Sequence, residues 1–236
     1  MQEREFIKKL KDLNLGVITL SDTSNITNKD KNYAALYMKR LDDRGIIRRI
    51  EKGKYVLADT DISVISTNLV YPSYISFLSG LAYYHKTTQI PIISQIVTTV
   101  SKRNISYQKN QIQFIKLNKK RMFGYKKEKL KNGYAFIGEI EKIILDSLFI
   151  PEYCPLSEVK NTLDEVKLDT LLLYGLKMDS IVTLKRLGYI LELNGIDIYN
   201  ELKRYINKRY DLLNPLLPEN GKKNKKWMLK INEVLQ

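Results

Sequence analysis

The amino-acid sequence predicts an α+β fold, with a small N-terminal domain followed by a larger mixed α/β domain. Three patterns in the chain of 236 residues support this prediction. Residues 30–57 show a helical pattern, a tight turn and a basic hairpin, and residues 59–150 mix β-branched runs with apolar helical patterns. Residues 151–236 are mainly helical in pattern. We therefore expect one domain at 1–58 and a second at 59–236.

The helix predicted within residues 30–44, here called the reading helix, has two distinct faces. Ala34, Met38 and Leu41 recur at i, i+4 and i+7 and form one buried stripe, and Gly45 ends the helix. The opposite face collects an amide, a phenol, a leucine and two cations: Lys29, Asn32, Tyr33, Leu36 and Arg40. Such a face suits a DNA groove, where a leucine can meet a thymine methyl group.

A basic hairpin, here called the wing (residues 46–57), follows the reading helix. Its two apolar runs place Gly53 near the tip. Four cations surround this tip, opposed only by Glu51: Arg48, Arg49, Lys52 and Lys54. A first helix over 3–13 and a second helix with a capping-box start at 19–22 come before, so the order of elements indicates a winged helix-turn-helix domain. The alternative is an ordinary surface helix and hairpin with solvated charges.

The second domain alternates strand and helix patterns before it becomes mainly helical near residue 151. β-branched runs predict strands at 92–100, 112–117 and 134–137. Apolar spacing predicts helices at 74–85, 139–150, 164–174, 180–193 and 197–209. A final strand is expected at 227–231.

The charge of the chain indicates a polyanionic partner. A net charge of +14 and a pI near 9.6 favour double-stranded DNA or RNA, because cations that neutralise phosphates release counterions. Residues 58–150 are the most basic segment, with 13 Lys and Arg against 6 Asp and Glu. Five of these cations surround Phe123 and Tyr125: Lys119, Lys120, Arg121, Lys126 and Lys127. They predict either a secondary nucleic-acid surface or a solvated loop.

The sequence contains few residues suited to catalysis. His85 is the only histidine, which excludes a Ser-His-Asp triad and a histidine-rich metal site, and no glycine-rich phosphate loop occurs. Cys154 is the single cysteine, so it forms neither an intramolecular disulfide nor a cysteine-based zinc site, and we expect a small half-buried hydrophobe. Glu139 and Asp146 give only weak support for a carboxylate pair. We therefore expect no enzyme activity, no cofactor and no metal.

The start of the chain and its hydropathy predict a cytoplasmic protein. The first residues, MQERE, are charged, and no apolar segment typical of a signal peptide follows them. No apolar run reaches the roughly 18 residues of a membrane span. We expect no membrane partner.

Six short stretches occur in order along the chain: YIS (74–76), GLAYYH (80–85), IVTTVSKR (96–103), FGY (123–125), IGEIEKIILD (137–146) and RLGYILE (186–192). Together, behind the predicted winged helix, they resemble the AbiEi family, whose members are antitoxins and autoregulators of type IV toxin-antitoxin systems. The resemblance covers nearly the whole chain. Tyr33 and Leu36 stand in the reading helix where we expect polar residues in the family, which leaves the target DNA sequence open.

The resemblance implies a function for each domain. The winged helix would bind inverted repeats in the protein's own promoter, and the second domain would carry the antitoxin activity. The functional partner would be a nucleotidyltransferase-like toxin, whose effect such antitoxins typically oppose without a stable complex. The five cations at 119–127 would then serve the antitoxin step or bind RNA. Two other interpretations stay open: an effector-responsive winged-helix transcription factor, and a metal-dependent DNA-processing enzyme using Glu139 or Asp146.

Overall fold

The structure, a computed structural model, describes residues 2–235. These residues form a mixed α+β fold, as the sequence predicts, with ten α-helices and three separate β-sheets. Within this range, no helix combines the length and the apolar composition needed to cross a lipid bilayer.

The N-terminal part consists of three helices and a three-stranded antiparallel sheet. Its elements are α1 (Glu3–Asp12), β1 (Ile18–Thr19), α2 (Leu20–Thr27), α3 (Lys31–Asp43), β2 (Ile47–Glu51) and β3 (Lys54–Leu57). The strand order is β1-β3-β2, so β3 is central and β2 forms an edge. The helices pack on the sheet through a core that includes Phe6, Leu10, Ile18, Met38 and Leu41. Helix α3 is the reading helix, and β2 and β3 form the wing.

Local side-chain signals set the boundaries of these helices. Thr19 begins α2 in the predicted capping box: its Oγ1 accepts a hydrogen bond from the Asp22 amide (3.1 Å), and the Asp22 carboxylate accepts one from the Thr19 amide (2.8 Å). Asp30 caps α3 by accepting from the Tyr33 amide (2.8 Å). Gly45 adopts a left-handed conformation (φ 73°) after α3. The reading helix therefore begins and ends where the sequence predicts.

A six-stranded sheet is the centre of the second part. The first helix of this part is α4 (Ile62–Asn68). The strands are β4 (Ser73–Ile75), β5 (Ile93–Thr98), β6 (Ile105–Tyr107), β7 (Asn110–Lys116), β8 (Tyr125–Leu130) and β9 (Gly133–Gly138). Their spatial order is β6-β7-β5-β4-β9-β8, in which the β5–β7 and β4–β9 pairs are parallel and the other pairs antiparallel. Strands β6 and β8 are therefore the edges.

Both faces of this sheet are buried. On one face, the core formed with α4 takes up Ile75, Ile96 and Ile112, and Val56 of the wing joins it. On the other face, Tyr74, Val97 and Ile115 belong to the core beneath α5 (Phe77–Tyr83) and α6 (Ile140–Phe149). Because both faces are covered, the strands read in the sequence as continuous β-branched runs rather than as strict alternation.

The C-terminal part combines helices with a small three-stranded sheet. Its elements are α7 (Leu156–Thr162), α8 (Leu168–Lys177), α9 (Ile181–Leu193), α10 (Tyr199–Leu202), β10 (Asp211–Leu212), β11 (Lys222–Asn224) and β12 (Leu229–Ile231). Trp227 is fully buried against Gly188 of α9, where a Cβ atom would lie 2.0 Å from the indole ring. Only glycine at this position allows so close a contact.

Three helix predictions are corrected by the structure. Residues 74 and 75 lie in β4, and the helix predicted at 74–85 begins at Phe77, because periodicity does not separate a short buried strand from a helical turn. The helix predicted at 164–174 is α8, and its Gly175 packs against α9 instead of ending the helix. The helix predicted at 197–209 is reduced to α10 and a 3-10 turn, Lys203–Tyr205.

The N-terminal part is joined to the six-stranded sheet by close contacts. Lys54 of the wing donates from Nζ to the carbonyl oxygen of Leu69 at the end of α4 (2.7 Å). Gly16 approaches Gly133 so closely that a Cβ atom at residue 133 would lie 3.1 Å from the Gly16 Cα atom. The wing is therefore packed on the second part of the chain.

Candidate nucleic-acid interface

The reading helix has the two faces that the sequence predicts. Ala34, Met38 and Leu41 are buried. Four residues of the opposite face are exposed: Asn32, Tyr33, Leu36 and Arg40. Lys29 is exposed too, but it precedes the N-cap Asp30 and lies outside α3, which corrects its predicted place on this face. Leu36 leaves 51% of its surface accessible in the middle of this polar face. About half of this side chain is therefore accessible to a partner, as single leucines on protein surfaces commonly are.

Stacked aromatic rings hold part of this face in place. The Tyr33 ring stacks on Tyr37 with centroids 5.9 Å apart, and Tyr37 meets the edge of the buried Phe6 ring at 5.1 Å. Burial raises the pKa of Tyr37, and the negative charge of Glu3 adds to this effect. Tyr33 therefore presents a ring whose orientation is fixed by the core, which lowers the entropy lost when it contacts a partner.

The wing exposes three of its four predicted cations: Arg48, Arg49 and Lys52. The prediction that Lys54 is an exposed cation of the wing is wrong. Its side chain is half-buried, and its Nζ donates to the Leu69 carbonyl oxygen at the C-terminus of α4. A cation at that end of a helix is favoured by the helix dipole. The Lys54 side chain therefore connects the N-terminal part to the second part, through its hydrogen bond to Leu69. Its strand, β3, is the central strand of the small sheet.

Glu51 is the single acid of the wing, and two lysines neutralise it. Lys102, from the loop before β6, forms an ion pair with the carboxylate, and Lys54 lies at 3.3 Å. Partial burial opposes ionisation of Glu51, but the hydrogen bonds from Lys102 and Lys54 outweigh it and hold its pKa below the ordinary value. The carboxylate is therefore ionised and paired, and the exposed cations of the wing dominate its outer surface.

The second basic stretch is not one loop, which corrects the sequence-based prediction. Lys119, Lys120 and Arg121 form a 3-10 turn, whereas Lys126 and Lys127 lie on the edge strand β8. The stretch is divided because residues 125–130 pair with β9 in a regular hairpin. The lysines of this strand are exposed to solvent. Lysines on an edge strand also prevent it from pairing with other chains, which is a structural role.

Most of these five cations contact their own chain. Arg121 donates to the carbonyl oxygens of Met178 (2.8 Å) and Asp179 (3.1 Å) and lies 4.4 Å from the Phe149 ring centroid. Three of the lysines also contact their own chain: Lys120 with Asp179, Lys126 with Glu128 and Lys127 with the Tyr134 ring. Arg121 thus fastens the 3-10 turn to the end of α8.

A pocket of about 440 Å³ opens between β8, α6 and α8. Glu139 at its wall accepts a hydrogen bond from the Tyr174 hydroxyl (2.6 Å), and this bond raises the pKa of Tyr174 to about 12. Glu141 accepts one from the Lys167 amide (3.0 Å). Lys126 and Lys167 also line the pocket. Its walls combine both signs of charge with two tyrosine rings, a surface suited to a small polar molecule.

A buried ion pair lies at the centre of the second part. Lys142 and Asp146 of α6 are both completely buried and pair with each other. Asp146 also accepts hydrogen bonds from the Tyr74 hydroxyl (2.9 Å) and the Ser76 hydroxyl (2.8 Å). The Lys142 ammonium lies 5.0 Å from the Phe123 ring centroid. Burial lowers the pKa of Lys142, and the charge of Asp146 acts against this effect.

This cluster was missed in the sequence; the i, i+4 spacing of a Lys and an Asp on an apolar helix could have identified the ion pair, but not the residues around it. The two carboxylates have separate partners: Asp146 pairs with Lys142, and Glu139 accepts a hydrogen bond from the Tyr174 hydroxyl. The stretches YIS, FGY and IGEIEKIILD meet here, because Tyr74, Ser76 and Phe123 surround the ion pair. Cys154 is completely buried, more than the half-buried position expected from the sequence, and burial raises its pKa to about 12.

The fold is similar to that of the RV2827C protein from Mycobacterium tuberculosis, known from a crystal structure. The TM-score is 0.63 and the sequence identity 12%, and the match covers 96% of this chain and 89% of that chain. At this identity the similarity concerns the fold alone. No protein-family model and no curated protein matches the sequence.

Proposed function

We propose that the protein is a DNA-binding transcriptional autorepressor and antitoxin of a type IV toxin-antitoxin operon. Residues 1–58 act in this proposal as a winged helix-turn-helix domain that binds inverted repeats in the operon's promoter. The reading helix enters the major groove, where Asn32 and Arg40 meet base edges and Leu36 meets a thymine methyl group. The exposed cations of the wing contact phosphates.

One observation carries the DNA-binding proposal: a helix with one buried and one exposed face stands directly before an exposed basic hairpin. The buried stripe fixes the helix on its domain, and its outward side chains include an amide and a guanidinium. These two groups form bidentate hydrogen bonds with adenine and guanine respectively. The helix ends at Gly45, so the wing follows at once and lies beside the same duplex.

The antitoxin proposal rests on the resemblance to the AbiEi family. The functional partner in this proposal is a nucleotidyltransferase-like toxin. RNA is a further candidate partner, because it is a polyanion. Four of the five predicted cations are exposed and remain candidates for this step, namely Lys119, Lys120, Lys126 and Lys127, whereas Arg121 has a structural role. The cytoplasm is the compartment in which both activities would operate.

The DNA-binding proposal is tested by footprinting the protein on a duplex from its own upstream region. Two protected half-sites are expected, with centres about one helical turn (10–10.5 base pairs) or a multiple of it apart. A random-sequence duplex of equal length is the control. Equal affinity for both duplexes at one salt concentration would refute an autorepressor.

The antitoxin proposal is tested in cells that express the neighbouring open reading frame. Wild-type protein is expected to restore growth, and Lys119→Gln, Lys126→Gln and Lys127→Gln together are expected to lose this protection while promoter binding persists. Full protection by the triple variant would exclude these lysines from the antitoxin step. A neighbouring frame without toxicity would refute the antitoxin proposal itself.

The pocket between β8, α6 and α8 favours a second candidate function, an effector-responsive transcription factor. Its volume and mixed lining would accept a small polar molecule. A ligand that changes promoter affinity must have its own affinity changed by DNA to the same extent. Titration of a ligand with and without promoter DNA therefore tests this candidate directly, and identical affinities would rule out an effector role.

A further inference from the structure

The outer strand of the wing, β2, lies beside the edge strand of the six-stranded sheet, β6. Near one end of β2, Glu51 is paired with Lys102, which precedes β6. Near the other end, Arg48 lies close to Tyr107: burial raises the pKa of Tyr107, and the positive charge of Arg48 acts against this. Residues of both strands pack against one shared core. The wing and the segment around β6 are therefore neighbours, joined by the Glu51–Lys102 ion pair and by their shared core.

The edge of the second part that meets the wing is basic and carries no acid. Residues 101–110 contain Lys102, Arg103 and Lys109 and no Asp or Glu. Arg103 before β6 and Lys109 after it are exposed. Exposed neutral side chains that can donate hydrogen bonds lie between them: Asn104, Ser106 and Gln108. Such groups, together with cations, are those that contact DNA phosphates.

Lys102 acts differently from its neighbours in this edge. Its ammonium is committed to Glu51 and lies 5.4 Å from the Phe114 ring centroid. It thus removes the one negative charge that the wing would otherwise turn toward a duplex. Arg103, the next residue along the chain, is exposed to solvent.

We propose that residues 103–109 are a second DNA-binding element, which contacts the duplex backbone beside the wing through Arg103 and Lys109. This rests on the proposed function, because the wing must first be on DNA. In extended conformation, residues 103–107 span about 14 Å at 3.4 Å per residue, and Lys109 follows in the turn after β6. Phosphates of one DNA strand follow each other about every 3.4 Å along the helix axis, so the element reaches several of them.

The duplex backbone fits this edge better than an acidic protein does. Specific protein interfaces are centred on buried aromatic or aliphatic anchors. The exposed residues at positions 103, 104, 106, 108 and 109 are all polar, and Tyr107 is half-buried against the sheet. A polar, cationic strip without an apolar anchor has the composition of a phosphate contact.

The test compares two full-length variants of equal charge on DNA. Arg103→Gln with Lys109→Gln removes the proposed contacts, and Lys208→Gln with Lys225→Gln removes two exposed cations of the C-terminal part. The probes are a long random-sequence duplex and a short duplex of about one helical turn, roughly 10 base pairs. Thermal unfolding confirms that both variants fold.

We expect the slope of log K against log salt on the long duplex to flatten by about 0.9 for each phosphate that is no longer neutralised, thus by about 1.8 for the first variant. The control variant is expected to keep the wild-type slope, and on the short duplex both variants should bind as wild type does. A first variant with the wild-type slope on the long duplex would overturn this inference while leaving the proposed function intact. If wild-type protein binds no duplex, the proposed function and this inference fail together. Loss of protection against the toxin with an unchanged slope would assign the edge to another partner and overturn the inference.

Discussion

The reading helix with the wing and the stretch from Lys119 to Lys127 are similar in composition and different in structure. On α3 and β2 the cations lie on outward faces, with the opposite sides buried in the core. In the second stretch, four of the five cations contact acids, carbonyl oxygens or aromatic rings of their own chain. Charge density along the sequence therefore does not distinguish a binding surface from internal attachment. The distinction depends on which partners the fold brings within reach.

Lys142 is the extreme case of a cation bound to its own chain, and its removal is expected to have the largest effect. Lys142→Ala leaves the buried Asp146 carboxylate without its counterion, which should lower the free energy of unfolding by about 3–5 kcal/mol. Urea unfolding measures this decrease. The matched control is Lys126→Ala, whose partner Glu128 is partly exposed, with an expected decrease of about 0–1 kcal/mol.

A double substitution separates unpaired charge from weakened packing. Lys142→Met with Asp146→Asn removes both charges, and the amide can still bond with Tyr74 and Ser76. The double variant should therefore be more stable than Lys142→Ala. If it were less stable, the destabilisation would come from packing around α6 and not from a buried unpaired carboxylate.

Substituting Arg121 should lower the free energy of unfolding, whereas substituting the neighbouring exposed lysines should change it little. Arg121→Gln removes hydrogen bonds from a charged donor to two carbonyl oxygens, which should cost about 1.5–3 kcal/mol of unfolding free energy. The control is the triple variant Lys119→Gln, Lys126→Gln and Lys127→Gln, which should stay within about 1 kcal/mol of wild type. Equal stability of Arg121→Gln and wild type would mean that the 3-10 turn holds its place without the arginine.

Substitutions on the outward face of α3 should weaken DNA recognition and leave the free energy of unfolding unchanged. Asn32→Ala and Arg40→Ala should each weaken binding to the upstream duplex by about 1–3 kcal/mol if each removes a bidentate hydrogen bond to a base, with a smaller effect on random DNA. Fluorescence anisotropy titrations at one salt concentration compare the two duplexes. Equal effects on both would show that these side chains do not read bases.

The smallest effect is expected for single cations of the wing. Substituting Arg48, Arg49 or Lys52 by Gln should flatten the slope of log K against log salt by about 0.9 for each phosphate that the side chain neutralises, with little change in sequence preference. Lys54→Gln is the internal control, because its ammonium binds the Leu69 carbonyl. A flattened slope for Lys54→Gln, with unchanged slopes for the other three, would reverse this assignment.

Local signals in the sequence were sufficient for the N-terminal part. The capping box at Thr19, the cap at Asp30 and the left-handed Gly45 act over a few residues, so their effect is visible in the sequence itself. The apolar spacing of α3 likewise defines its buried face. The DNA-binding role of the opposite face stays a prediction.

Contacts between distant segments could not be predicted from the sequence. The cluster around Lys142 combines residues from β4, α6 and the segment before β8, and only the order of strands in the sheet brings them together. Strand β6 was not predicted because it has only three residues and is held by its pairing with β7. Lys54 was assigned to the wing surface because its binding partner, the carbonyl of Leu69, is fifteen residues away.

The contact between Trp227 and Gly188 has a practical consequence for spectroscopy. Trp227 is the only tryptophan in the chain, and its buried indole donates a hydrogen bond to Glu192. Intrinsic tryptophan emission therefore reports on a single region, where the C-terminal part packs against α9. If unfolding followed by this emission coincides with unfolding followed by far-ultraviolet circular dichroism, the whole chain unfolds as one cooperative unit. The protein thus contains an optical reporter of its C-terminal part that requires no engineered label.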